Sequence, residues 1–179
     1  MEHTDGADEI AAAWQRERPG TPTDSIGIVT RLWQLAKLFG EDRRRVLAGA
    51  GVDTATLDLL SVLRRSSSPY TLSTRQLAER TLVTPGAISQ RVARAERDGL
   101  VRRRTDPANR TVWVELTDAG HELVERTVDS VLHRELELLD TLTPEQRHEL
   151  AELLRVLLRD VQARTGNRGI SQVGDSPMS

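Results

Sequence analysis

Cysteine is absent from this 179-residue chain, which excludes disulfides, thiolate metal sites and thiol redox sensing together. Aromatic residues are scarce: three Trp, one Tyr and one Phe make up 3% of the chain, fewer than a β-sandwich usually carries, so the composition points to helices. No apolar run approaches the ~20 residues of a membrane span, and the first residues, MEHTDGADEI, are acidic where a secretory signal is basic. A soluble, cytoplasmic protein without a membrane partner is expected. Phosphate-cradling glycine loops and nucleophile elbows are missing. His3, His121, His133 and His148 are scattered, and the twelve-residue separation of His121 and His133 is too wide for one helix to aim both at a metal. The chain is therefore expected to be neither an enzyme nor a cofactor carrier.

Positive charge is carried by arginine, since Lys37 is the only lysine. The whole chain holds 25 basic and 27 acidic residues, a net charge of −2 that taken alone argues against nucleic acid. The average conceals a division. Residues 64–110 contain eleven arginines and four carboxylates, a net of +7, which leaves −9 for the rest. Genomic base composition explains arginine in place of lysine but not the clustering. Such a local excess is the electrostatic footprint of phosphate binding, although a solvated charged face has the same composition.

Periodicity and capping signals divide the chain into helices with one hairpin. Residues 8–17 form a short helix before Pro19-Gly20, and Asp24 is placed to cap a long amphipathic helix over 25–48, which Gly49 and Gly51 stop. Asp53 caps the next helix, closing near Arg65. Ser73 and Gln76 have capping-box spacing at the start of a short helix. After Thr81-Leu82-Val83, Thr84-Pro85 gives an N-cap followed by a first-turn proline for a helix ending at Gly99. Two short strands, 100–104 and 111–116, form a hairpin with Arg110 near its tip. Thr117-Asp118 and Thr143-Pro144-Glu145-Gln146 open two long closing helices, and 165–179 lacks periodicity and reads as a disordered tail.

Helix, turn, helix and two-stranded wing make a winged helix-turn-helix, so the fold class expected is mainly α with a small β wing. Helix 84–98 would enter the major groove of double-stranded DNA. Ser73, Thr74, Thr84, Gly86, Ser89, Gln90 and Arg94 are the candidate contacts there, with Arg110 reaching the minor groove. Hydroxyls and amides suit base edges, and arginine forks onto guanine or phosphate. The plainer alternative is a three-helix core with solvated arginines. The flanking helices are too apolar for so small a core. They are expected to serve homodimerisation, placing two recognition helices one DNA turn apart on a pseudo-palindromic operator.

The runs Leu72-Ser73-Thr74-Arg75-Gln76-Leu77-Ala78, Thr84-Pro85-Gly86-Ala87-Ile88-Ser89-Gln90-Arg91-Val92 and Glu96-Arg97-Asp98-Gly99-Leu100-Val101-Arg102-Arg103 resemble the MarR family of transcription regulators. Asp106-Pro107-Ala108-Asn109-Arg110 and Val114-Glu115-Leu116-Thr117-Asp118-Ala119-Gly120 are similar to its wing and following helix start, although Asn109 stands where an acidic residue is common. The resemblance implies a domain over 24–164, with a DNA-binding core at 53–116 and dimerisation segments at 24–50 and 117–164. Residues 1–23 would form an extra N-terminal helix and turn. That segment, Trp14-Gln15-Arg16-Glu17-Arg18-Pro19, is similar to the urate-responsive branch of the family. This implies a repressor released by urate or a related small anion, with Trp14, Asp58, Arg91 and Arg103 as ligand-binding residues. A flat Trp face suits a planar ring and arginines suit an anionic oxygen. Each has a plainer reading: Trp14 as a packing residue, Asp58 as a surface charge, Arg91 and Arg103 as phosphate binders. Alternatives are a same-fold regulator sensing a phenolic or multi-carboxylate anion, or a metal. An interaction protein without DNA is the rival of a different class.

Overall fold

The computed structural model describes residues 4–166, so all but Thr165 and Gly166 of the expected tail lie outside the described residues. The chain divides into two compact units, Met1–Arg45 and Val46–Ser179.

In the first unit, α1 (Gly6–Glu17) and α2 (Ile26–Gly49, which runs on past the unit boundary) are joined by a turn around Pro19-Gly20. Asp5 caps α1 from both sides: its carboxylate accepts the amides of Ala7 and Asp8, and the Asp8 side chain returns to the Asp5 amide. Arg31 of α2 reaches Asp5 and Asp8, with Nε to Asp5 Oδ2 and Nη2 to Asp8 Oδ1 both at 2.8 Å. Gln15 Nε2 donates to the Thr21 carbonyl and the Thr23 hydroxyl, closing the turn. The expected cap at Asp24 does not form. Amides of the first turn of α2 instead bond the carbonyls of Thr23 and Ser25.

The second unit begins with the last residues of α2, whose end is closed by Gly51 at φ +69° and the Val52 amide bonding the Leu47 carbonyl. It continues with α3 (Thr54–Arg64), β1 (Thr71–Ser73), α4 (Thr74–Thr81), α5 (Pro85–Arg97), β2 (Val101–Thr105), β3 (Val112–Leu116), α6 (Asp118–Leu138) and α7 (Pro144–Thr165). The sheet is antiparallel with order β1-β3-β2, pairing Leu72 with Val114 and Arg103 with Val114 across the central strand. The expected β2–β3 hairpin forms, and β1 joins it as a third strand that alternation does not predict. Leu57, Leu60 and Leu63 of α3, Leu77 of α4, Ile88 and Val92 of α5, Val114 of β3 and Val124 of α6 fill one core beneath the helix-turn-helix. Ala87, next to Ile88 on α5, is only partly buried. No residue of α7 is buried. Among the described residues, no single helix is long and apolar enough to cross a membrane.

Candidate nucleic-acid interface

Local chemistry fixes the recognition helix at both ends. Ser73 accepts the Gln76 amide while Gln76 Oε1 accepts the Ser73 amide, starting α4. That helix ends at Leu82, whose φ of +56° turns the chain toward Thr84. The Thr84 hydroxyl accepts the Ala87 amide, and Pro85 fills the first helical position, where an amide would have no partner. Gly99 at φ +73° ends α5, and the Leu100 amide bonds the Ala95 carbonyl as β2 begins.

Of the expected DNA contacts, Thr84, Gly86, Ser89, Gln90 and Arg94 are exposed on one helix, and Thr74 is half-buried at the start of α4. The Ser89 hydroxyl donates to the Pro85 carbonyl. Ser73 differs: it is buried, and its hydroxyl is occupied by the cap. Space beside Gly86 is open and its backbone does not require glycine, so local packing gives no reason for the missing side chain.

The wing tip is a tight turn in which Asp106 and Thr111 share a backbone bond and the Arg110 amide reaches the Asp106 carbonyl. Asp106 Oδ1 accepts the Ala108 amide, and Asn109 Oδ1 accepts the Thr111 amide, both at 2.9 Å. Asn109 and Asp106 therefore brace the turn's backbone rather than the Arg110 guanidinium. Arg110, at φ +59°, projects exposed with no carboxylate partner among the described residues.

Carboxylates sort the remaining arginines of the basic stretch. Arg91 of α5 meets Asp58 of α3 at 3.3 Å; Asp58 is 4% exposed, so this pair ties the recognition helix to the interior. Arg94, one turn further along, meets Asp53 at 2.6 Å. Burial pushes the Asp53 carboxyl up, but hydrogen bonds from Thr56 and the charges of Arg94 and Arg91 outweigh it and hold the carboxyl below its ordinary range. Arg103 of β2 forks onto Glu96 of α5, and this bond holds the Glu96 carboxyl low and the guanidinium high. Arg64 bonds Glu125 and lies over the Tyr70 ring, whose other neighbour is His121. Arg80, Arg97, Arg104 and Arg110 have no carboxylate partner among the described residues.

The four expected ligand residues thus stand in different settings. Asp58 and Arg91 are together, and Arg103 is engaged by Glu96. Trp14 lies on α1 in the first unit, half-exposed. The pairs Asp53–Arg94 and Glu96–Arg103 escape a reading by spacing. For the second a signal exists: a glycine-capped reversal at Gly99 brings residues three before and four after it side by side. Among the described residues no group of three or more His, Asp or Glu is arranged to hold a metal.

Residues 50–110, spanning α3 to the wing tip, match the model of the MarR family. The solved Sco3205 of Streptomyces coelicolor, a MarR family transcriptional regulator in complex with DNA, is 31% identical to this chain. The alignment covers 78% of this chain and 92% of that one, with a TM-score of 0.63. The chain belongs to the MarR family. It is also similar to the HTH-type transcriptional regulator PecS of Dickeya dadantii, at 26% identity over 82% of this chain and 89% of the relative. NadR, solved in complex with 4-hydroxyphenylacetate, is 26% identical over 73% of this chain and 91% of that one, with a TM-score of 0.56. This MarR-family protein is a DNA-binding transcription regulator and not an enzyme, with α4 and α5 as its helix-turn-helix and β2 and β3 as the arms of its wing.

Proposed function

We propose that this regulator is a homodimeric repressor, released from a pseudo-palindromic operator by a small planar anion of the urate type. The observation that carries the reading is the Asp58–Arg91 pair. It places a guanidinium of the recognition helix, 23% exposed at its side chain, against a nearly buried carboxylate of α3. An N–O separation of 3.3 Å is long for a charge-assisted bond, whose usual length is about 2.7–2.9 Å. A flat anion offering two oxygens competes well for that arginine. Arg103, on the first wing strand, supplies a second guanidinium that an anion would draw from Glu96. Either exchange alters what holds α5 and the wing in place. Release follows only if the ligand prefers the DNA-free arrangement, and DNA then weakens ligand binding by the same factor.

A second reading, an aromatic carboxylate in place of urate, is favoured by the likeness to NadR with its bound 4-hydroxyphenylacetate. Homodimerisation is supported by apolar side chains left exposed on each unit, Ile28 and Trp33 on α2 and Leu153 and Leu157 on α7.

Isothermal titration of the DNA-free protein with urate, and separately with 4-hydroxyphenylacetate, tests the ligand. Wild type is expected to bind one of them, and Arg91→Gln to lose that binding. Failure of both compounds to bind, or unchanged binding in Arg91→Gln, would refute the assignment.

A further inference from the structure

Asp53 uses its two carboxylate oxygens for two tasks. Oδ1 accepts the Thr56 amide at 2.7 Å and so caps α3, while Oδ2 holds Arg94 Nη1 at 2.6 Å. The first task is local and visible in the sequence; the second joins residues 41 apart and fixes a side chain of the recognition helix. Arg94 stays 58% exposed in this pair, so solvent and DNA can still reach it. It differs from Arg80, Arg97, Arg104 and Arg110, also exposed, in having a carboxylate partner, since those four have none among the described residues.

We propose that Asp53 is a positioning residue for DNA recognition, holding Arg94 on α3 and withholding its charge from sequence-independent phosphate contacts. The physical reason is competition. A phosphate that takes Arg94 must displace a carboxylate at short range, and that carboxylate, kept in place by the Thr56 amide, then faces the DNA unpaired. A random duplex offers nothing to offset this loss. A correctly docked site, with base contacts along α5, does. Asp53 therefore lowers affinity for generic duplex more than for a specific site. The inference rests on α5 as the DNA-facing helix and concerns a different arginine from the ligand reading.

Asp53→Asn separates the two tasks, because asparagine caps helices as well as aspartate does but cannot pair with Arg94 as a charge. The probe is a mixed-sequence duplex, with binding followed by fluorescence anisotropy over a series of salt concentrations. Asp53→Asn is expected to bind it several-fold more tightly than wild type. The slope of log affinity against log salt should steepen by about 0.9 for each recognition helix engaged, one released counterion set per new phosphate contact. In an Arg94→Gln background the same substitution is expected to change neither quantity. An unchanged or weaker affinity in Asp53→Asn overturns the proposal. So does a gain that survives in Arg94→Gln, since it would reflect plain repulsion between Asp53 and DNA. A wild-type protein that ignores duplex altogether would instead contradict the DNA-facing role of α5. Thermal unfolding of Asp53→Asn near the wild-type temperature confirms that the cap is kept.

Discussion

Gly120, in the first turn of α6, lies so close to the α5–β2 corner that a Cβ built on it would fall 2.1 Å from the Leu100 carbonyl oxygen. The same corner is clamped by Thr117, whose amide bonds that carbonyl at 3.1 Å and whose hydroxyl donates to the Gly99 carbonyl at 2.7 Å. The obstacle is backbone, so it cannot swing aside as a flexible side chain would. Gly120→Ala is expected to destabilise the second unit by about 1–3 kcal/mol, the usual cost of overpacking, read as a lower midpoint in urea. An unchanged midpoint would show that the corner gives way freely. The sequence alone marks Gly120 only through its likeness to a family pattern, because the contact that requires it joins residues twenty positions apart.

Element boundaries were the most legible level, since caps act within one turn. Ser73 with Gln76, Thr84 with Pro85, and Thr143 with Gln146 announce α4, α5 and α7, and each forms the bond its spacing predicts. β1 was not legible: it is three residues long and exists only because Leu72 pairs with Val114 of β3. The Asp53–Arg94 pair was equally hidden, as Asp53 reads only as a cap until α3 and α5 are packed together, whereas Asp58 and Arg91 come to one site through the family resemblance alone. In the first unit, the link from Arg31 to Asp5 joins α1 and α2 in the same unannounced way. Its hydrogen bond holds the Asp5 carboxyl at about 2, below the ordinary 3.8. A depressed carboxyl stabilises above its ordinary value and loses that contribution as pH falls through its own. The α1–α2 link should therefore be fully present at pH 5 and lost as pH approaches 2. Carbon-detected NMR titration of Asp5 is expected to show a midpoint near 2 in wild type, moving back toward 3.8 in Arg31→Gln. A wild-type midpoint near 3.8 would contradict the link.

For the whole molecule, the small net charge of the chain is the sum of a +7 stretch carrying the helix-turn-helix and wing and a −9 remainder. Ion pairs refine that division. Carboxylates of α3, α5 and α6 hold several of the arginines, and the uncompensated ones lie on α4, at the end of α5 and along the wing. The apolar stripe of α7, with Leu153 at 62% exposure and Leu157 at 41%, needs a partner surface that a solvated monomer does not provide. Homodimerisation is expected to cover it. Light scattering on wild type should report twice the chain mass, and Leu157→Glu should shift the equilibrium toward monomer with a parallel loss of DNA affinity. A monomeric wild type that still binds DNA tightly would remove the dimer from the account.

Paired copies of α5 are expected to read a specific duplex. The measurement that meets this expectation most directly is selection by the wild-type protein from a random-sequence duplex library. The account predicts enrichment of a pseudo-palindrome with half-sites about 10–10.5 bp apart, centre to centre. Enrichment of isolated half-sites, or of no sequence at all, would contradict it.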